Sequence, residues 1–293
     1  MANAGRTMPR RRALIVGLGF TGRAVARRLL ADGWEVAGTG RSLPEAEGVR
    51  GVVFDGEASD ELRGLVGSCD LLVASVPPGP DGGDPLLDAV PDMESLCGGV
   101  VAYLSATSVY GDRGGDWVFE GEVPGPETAR GRRRAEAELR WLETGLPVHV
   151  LRLAGIYGPG RSPLDKVERA VVKPGHVVNR IHVDDIAELV ARVADSPAPG
   201  IYNVADGHPA PPDEVVRYAA GLLGAPEPRE VAWTDPSLSA MARSFYGETK
   251  RVDIEKAKNV FGWEPHHPDY REGLRAVLVA EQGEAERGAG GRG

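Results

Sequence analysis

The stretch Leu14-Ile15-Val16-Gly17-Leu18-Gly19-Phe20-Thr21-Gly22-Arg23 sets three glycines in a G-x-G-x-x-G spacing between an apolar run and a helical pattern. No other feature narrows the fold so far. In such a turn Gly17 permits the reversal of the chain and Gly19 lets the main chain come close to a pyrophosphate. Gly22 lets helix and strand pack tightly while free helix N–H groups face the anion. A chain with 40 glycines matches the bare pattern by chance, so the weight comes from its place directly after the first apolar run. The reading is a dinucleotide-binding turn, against the alternative of a purely structural one.

The surrounding pattern agrees. Apolar, β-branched runs over 13–17, 34–39, 51–54, 70–76, 99–105 and 147–153 read as strands. Helical patterns lie between them, with Val25, Leu29 and Leu30 on one stripe and Ala135, Leu139 and Leu142 on another. Strands alternating with helices predict a parallel, doubly wound α/β sheet. After Leu153 the order changes: glycine and proline thicken, and a strand-like piece, Gly200 to Val204, stands among helices near 183–194, 212–223, 253–260 and 270–281. This divides the chain into a nucleotide-binding domain over 10–165 and a smaller lobe over 166–282. The two are interleaved, since no linker parts them, and 1–9 and 283–293 read as flexible tails.

At 293 residues the length suits about two domains. Lys and Arg number 34 against 43 Asp and Glu, a net charge of -9 that disfavours nucleic acid by simple repulsion. Only Cys69 and Cys97 are present, and Cys97 reads as a small buried hydrophobe. So few cysteines suit a reducing, cytoplasmic setting. No run approaches the roughly 18 apolar residues that span a membrane. The basic Arg10-Arg11-Arg12 precedes an apolar run too short and too glycine-broken for an export signal.

The end of the second strand distinguishes NAD from NADP, because an acid there binds the ribose hydroxyls and repels a 2′-phosphate. Here Thr39-Gly40-Arg41-Ser42 supplies a guanidinium and a hydroxyl instead, which favours NADP; the alternative is that Arg41 is a solvated loop residue. Asp55, after the third strand, either meets the adenine amino group or is an ordinary turn aspartate.

With these residues in view the chain resembles the extended and atypical short-chain dehydrogenases, the NAD(P)-dependent epimerase/dehydratase family. The resemblance runs through Gly17–Gly22, Ser105–Gly111 (SATSVYG), Arg152–Arg161 (RLAGIYGPGR), Arg180–Ala187 (RIHVDDIA) and Tyr202–Pro209 (YNVADGHP). It implies a Rossmann lobe for the dinucleotide and a C-terminal α/β lobe closing over a small polar substrate, with a helix-mediated homodimer common among relatives. It also implies a Ser/Thr-Tyr-Lys set, in which tyrosine moves the proton, lysine lowers its pKa and the hydroxyl polarises the carbonyl.

This sequence departs from that set at each step. The Ser/Thr position falls on Ala106, beside Ser105, Thr107 and Ser108. The YxxxK positions fall on Arg130 and Arg134, and arginine does not titrate near neutrality. A literal YxxxK, Tyr246 to Lys250, lies far downstream among turn residues and reads as a solvated loop. Tyr110, at the carboxyl end of the fifth strand, is the candidate acid, with Thr107 and Arg134 beside it; the alternative for Tyr110 is a packing role.

Arg152, Tyr157, Arg161, Arg180 and His182 belong to motifs that line the substrate side in relatives. Three arginines there suggest an anionic substrate, or else interlobe ion pairs. The six histidines form no metal-ligand spacing, and His266-His267 read as structural or solvated. The leading expectation is an NADP-dependent epimerase, dehydratase or reductase. A non-redox lyase or cyclase on the same fold, and a non-catalytic NADP-sensing protein, are the alternatives.

Overall fold

The protein is described by a computed structural model over residues 10–290. One parallel sheet of seven strands organises it: Arg12–Val16, Glu35–Gly40, Val49–Val53, Leu71–Ala74, Val100–Ala106, Val148–Leu153 and Gly200–Val204. Numbered along the chain, they stand side by side in the order 3-2-1-4-5-6-7. The direction of winding reverses between the first and fourth strands, and that reversal opens a crevice beyond their carboxyl ends. Every residue of the fourth and sixth strands is buried, because helices cover both faces. The period of two sends alternate side chains to opposite layers. Ala13 and Ile15 join a core under the helix Phe20–Ala31, whereas Leu14 and Val16 join one with Leu62 and Trp141.

The division at residue 166 is crossed more than the sequence indicated. Gly200–Val204, expected in the second lobe, is the seventh strand of the main sheet, with Ile201 opposite Val150 and Asn203 opposite Arg152. Its crossover is the helix Val183–Val193, which packs on Phe20–Ala31; Arg28 Nε donates to Glu188 at 2.7 Å. A parallel strand needs such a crossover, and the apolar stripe Ile186, Leu189, Val190 and Val193 supplies the buried face. Trp263, later still, is fully buried in the same core.

What remains of the second lobe has its own small core of Tyr157, Leu164, Val215, Ala219, Tyr270, Leu274 and Val277. The last helix, Tyr270–Gly290, continues through residues expected to form part of a flexible tail. Residues 1–9 and 291–293, the rest of the expected tails, lie outside the described residues. Among the described residues no helix is long and apolar enough to cross a membrane.

Candidate active site

The glycine turn is built as its spacing requires. Gly17 has φ +102°, and a Cβ there would fall 2.9 Å from Val76 Cγ2. Its N–H donates to the buried Thr39 hydroxyl at 3.0 Å, which ties the turn to the second strand. A Cβ at Gly22 would lie 2.3 Å from the Gly17 carbonyl oxygen, so only glycine lets the helix start there. Gly19 differs: nothing lies within 4 Å of the Cβ it lacks, and the space is open to a ligand. The helix starting at Phe20 has no side-chain cap and no acidic residue in its first turn. The N–H groups of Phe20, Thr21 and Gly22 are therefore free of intrahelical partners and favour an anion.

Arg41 and Ser42 stand exposed just past the second strand, and Asp55 just past the third, along the same carboxyl edge. The guanidinium of Arg161 lies 5.5 Å from the centre of the Phe20 ring, so a substrate-side motif reaches the mouth of the turn. The dinucleotide-side candidates thus come together.

The substrate-side candidates do not. Tyr110 ends a short 3-10 turn, Thr107–Tyr110, and points inward with 0% exposure. Its hydroxyl donates to Asn203 Oδ1 at 2.7 Å, and the Arg152 guanidinium lies 4.7 Å from its ring centre. Burial raises the Tyr110 pKa, and nearby Arg152 only partly offsets this, so the phenol is placed as a packed wedge and not as an acid facing substrate. Arg152, 1% exposed, is held by Glu138 through Nε at 3.1 Å and Nη2 at 2.7 Å, and the Ser105 hydroxyl donates to the same carboxylate at 2.5 Å. Arg152 Nη1 has no hydrogen-bond partner among the described residues, but the guanidinium lies against the Tyr110 ring and does not line the cleft beyond the fifth and sixth strands.

Arg134 turns back to the fifth strand, giving Nη1 to the Tyr103 hydroxyl at 3.1 Å and the Leu104 carbonyl at 3.0 Å. Arg180 gives its Nη1 to the Val178 and Ala210 carbonyls. His182 and Tyr157 are buried ring against ring, 5.3 Å between centres. His182 caps the helix Val183–Val193 by accepting from the Asp184 N–H, and burial lowers its pKa to about 4. Beside it, Asp185 accepts from the N–H groups of His266 and His267 and bonds His267 Nδ1 at 2.9 Å. Donor atoms of His182, Asp185 and His267 lie within 4.8 Å of one another. Their hydrogen bonds to main chain and to each other make this a hub that pins the loop before the last helix.

The cleft itself, about 290 Å³, opens beyond the carboxyl ends of the fifth and sixth strands. Ala106, Thr107, Ser108 and Arg130 form one wall, and Phe245, Glu248 and Lys250 another. A wider hollow of about 510 Å³ lies at the amino end of the sheet among Arg12, Trp34 and Arg50. Open α/β sheets bind ligands at the carboxyl ends, which makes the smaller cleft the candidate site. Of the three catalytic candidates only Thr107 lines it. Arg130 is exposed there, with no ion pair among the described residues, and the Ser108 hydroxyl is buried without a partner.

Sequence reasoning missed Lys250. Far from a solvated loop, it is 7% exposed, and its Nζ pairs with Glu248 Oε2 at 3.0 Å. The YxxxK spacing is nonetheless not the family's: Tyr246 packs against His176 with the rings tilted by 42° and does not line the cleft, because no helix holds residues 246–250 on one face. The main chain around Lys250 is clamped. Thr249 N–H donates to Asp112 Oδ1 at 2.7 Å and the Thr249 carbonyl accepts from Arg113 and Gly115. Asn179 donates to the Lys250 carbonyl and accepts from Val252 N–H, both at 2.9 Å. Arg251–Val252 then pairs in parallel with Trp117–Val118.

No family model matches the chain. YeeZ of Escherichia coli K12 is 32% identical, over 88% of this chain and 97% of YeeZ. A functionally unknown conserved protein from Silicibacter pomeroyi is 40% identical, with a TM-score of 0.84 over 92% of this chain and 99% of that one. A structure described as an NAD-dependent epimerase/dehydratase from Methylobacillus flagellatus is 27% identical, with a TM-score of 0.72 over 93% and 99%. The chain belongs to the atypical short-chain dehydrogenase/reductase family. A further relative, the 3-diazoavenalumate denitrifying reductase of a Streptomyces species, is 32% identical over 48% of this chain and 51% of its own. MoeE5, solved with UDP-glucuronic acid and NAD, shares the fold at 21% identity and a TM-score of 0.77, over 93% of this chain and 99% of that one.

Proposed function

We propose that the protein is an NADP-dependent enzyme that moves a hydride between the nicotinamide and a small, polar, anionic carbonyl or carbinol metabolite. The observation that carries this is the shared edge: an anion-accepting glycine turn and a polar cleft with a guanidinium, Arg130, that has no ion pair among the described residues, both open beyond the carboxyl ends of one sheet. Relatives that bind NAD, and one named a reductase, support a nicotinamide cofactor and redox chemistry.

The residues present fit such a cofactor, since Gly19 leaves open space where the main chain must approach a pyrophosphate. The N–H groups of Phe20, Thr21 and Gly22 would hold that pyrophosphate, and Arg41 with Ser42 the 2′-phosphate. When bound, the cofactor supplies the hydride. Arg130 orients the anionic end of the substrate from the position the family gives to tyrosine. Thr107 hydrogen-bonds the reacting oxygen, and Ala106 leaves the space a hydroxyl fills in relatives. The anionic preference rests on Arg130 and not on Arg152 or Arg180, which are engaged elsewhere.

The test has two measurements. Titration calorimetry should show NADPH binding more tightly than NADH, with Arg41→Ala weakening NADPH by ten-fold or more and leaving NADH unchanged. Stereospecifically deuterated NADPH, incubated with the enzyme and a panel of 2-oxo acids and carboxylated aldehydes, should pass its label to product. Retention of all label, or no heat with either nucleotide, overturns the proposal.

A further inference from the structure

Resting on the hydride-transfer reading, we propose that Lys250 is the proton donor of the reaction, with Glu248 as the group that returns its proton, in place of the family's tyrosine and lysine. Reduction of a carbonyl needs a proton as well as a hydride. The hydride adds to carbon, the π pair moves to oxygen, oxygen takes a proton from the Lys250 ammonium, and the neutral amine is recharged from solvent through the Glu248 carboxyl.

The cleft offers few other donors. Arg130 holds its protons too tightly. Tyr110 is sealed in the core, and both ends of the Asn179 amide are bound to main chain. Thr107 and Ser108 carry hydroxyls that hydrogen-bond an oxygen but do not release a proton at neutral pH. Lys250 and Glu248 form the ammonium–carboxylate pair on the cleft wall.

Two further features point the same way. Glu248 gives only Oε2 to Lys250, while Oε1 is buried with no partner, as is the Ser108 hydroxyl on the facing wall. Polar atoms left unsatisfied around one cavity mark the place of a ligand. An ion pair drawn out of water is a poor stabilising device, so its burial in a cavity wall is better accounted for by chemistry than by stability. The strap that carries it is held by main-chain atoms, so changing the side chain at 250 leaves the wall in place.

The experiment uses the full chain, NADPH and the carbonyl acceptor that takes the most label in the deuterium assay. Lys250→Met is expected to slow single-turnover reduction at least 100-fold with the NADPH dissociation constant close to wild type, while the urea midpoint falls because Glu248 loses its cation. Glu248→Gln should slow it less, by about ten-fold. Lys250→Cys treated with 2-bromoethylamine rebuilds a lysine-like amine and should recover much of the rate; Cys69 and Cys97 are both buried, which favours alkylation at 250. Reduction by Lys250→Met within three-fold of wild type, or a slow Cys variant that alkylation fails to rescue, overturns the proposal while leaving hydride transfer standing. No label transfer by wild type to any acceptor overturns both, and the failure is then in the parent reading.

Discussion

A guanidinium in a strand means different things according to what meets it. Arg152 sits in the sixth strand directly opposite Ser105, and Glu138 reaches down from the helix Ala129–Glu143 to bind both. The carboxylate neutralises the arginine, which stacks on Tyr110, which in turn donates to Asn203 of the seventh strand. Three neighbouring strands are joined by one buried polar chain. Removing one partner of such a pair leaves the other buried and uncompensated, at a cost of about 3–5 kcal/mol. Glu138→Ala should therefore lower the urea midpoint sharply, and an unfolding curve superimposable on wild type would contradict this account. The sequence gives the types of Arg152 and Tyr110 but not their partners. One clue was present: Glu138 lies between Ala137 and Trp141 on the buried face of its helix, where a carboxylate calls for a cation. Lys250 was hidden more deeply, since its neighbours come from residues 107–130 and 177–179, distant along the chain.

Elements were easier to read than residues. All six strands assigned to the first half form, because each is an apolar run bounded by turn residues, and the glycine spacing fixes where the first helix begins. The two-residue ladder of Trp117–Val118 with Arg251–Val252 has no such signature, as two residues show no period. The turn itself allows fold and ligand to be separated. Gly17 is required by its positive φ and Gly22 by a close main-chain contact, whereas Gly19 faces open space at φ -78°. Gly19→Ala should cost the fold about 1 kcal/mol or less, yet weaken NADPH by at least ten-fold as the methyl meets the pyrophosphate. Calorimetry beside a denaturation curve checks this, and unimpaired binding would place the nucleotide elsewhere.

At the scale of the molecule, parts that are late in the sequence complete what begins early. The seventh strand, its crossover helix and Trp263 all lie beyond residue 166 yet pack into the core of the first half. Residues 10–165 expressed alone would expose the sixth strand as an unpaired edge and leave the Phe20–Ala31 face uncovered. That fragment should lack near-ultraviolet dichroism and a cooperative urea transition, while the whole chain unfolds in one step; a cooperative fragment would show the halves to be independent. The missing linker indicates interleaving but not which pieces cross, because Gly200–Val204 looks the same whether it joins an old sheet or starts a new one.

The main-chain clamp on Thr249–Asp253 has an evolutionary corollary. Amide and carbonyl groups are common to nearly all residues, so the rim they anchor does not depend on which side chain hangs at position 250. A lineage can trade that amine for a phenol, an imidazole or a methyl group one codon at a time and keep an intact vessel throughout. New chemistries are then reached by exchanging a single fitting, without passing through a misfolded ancestor.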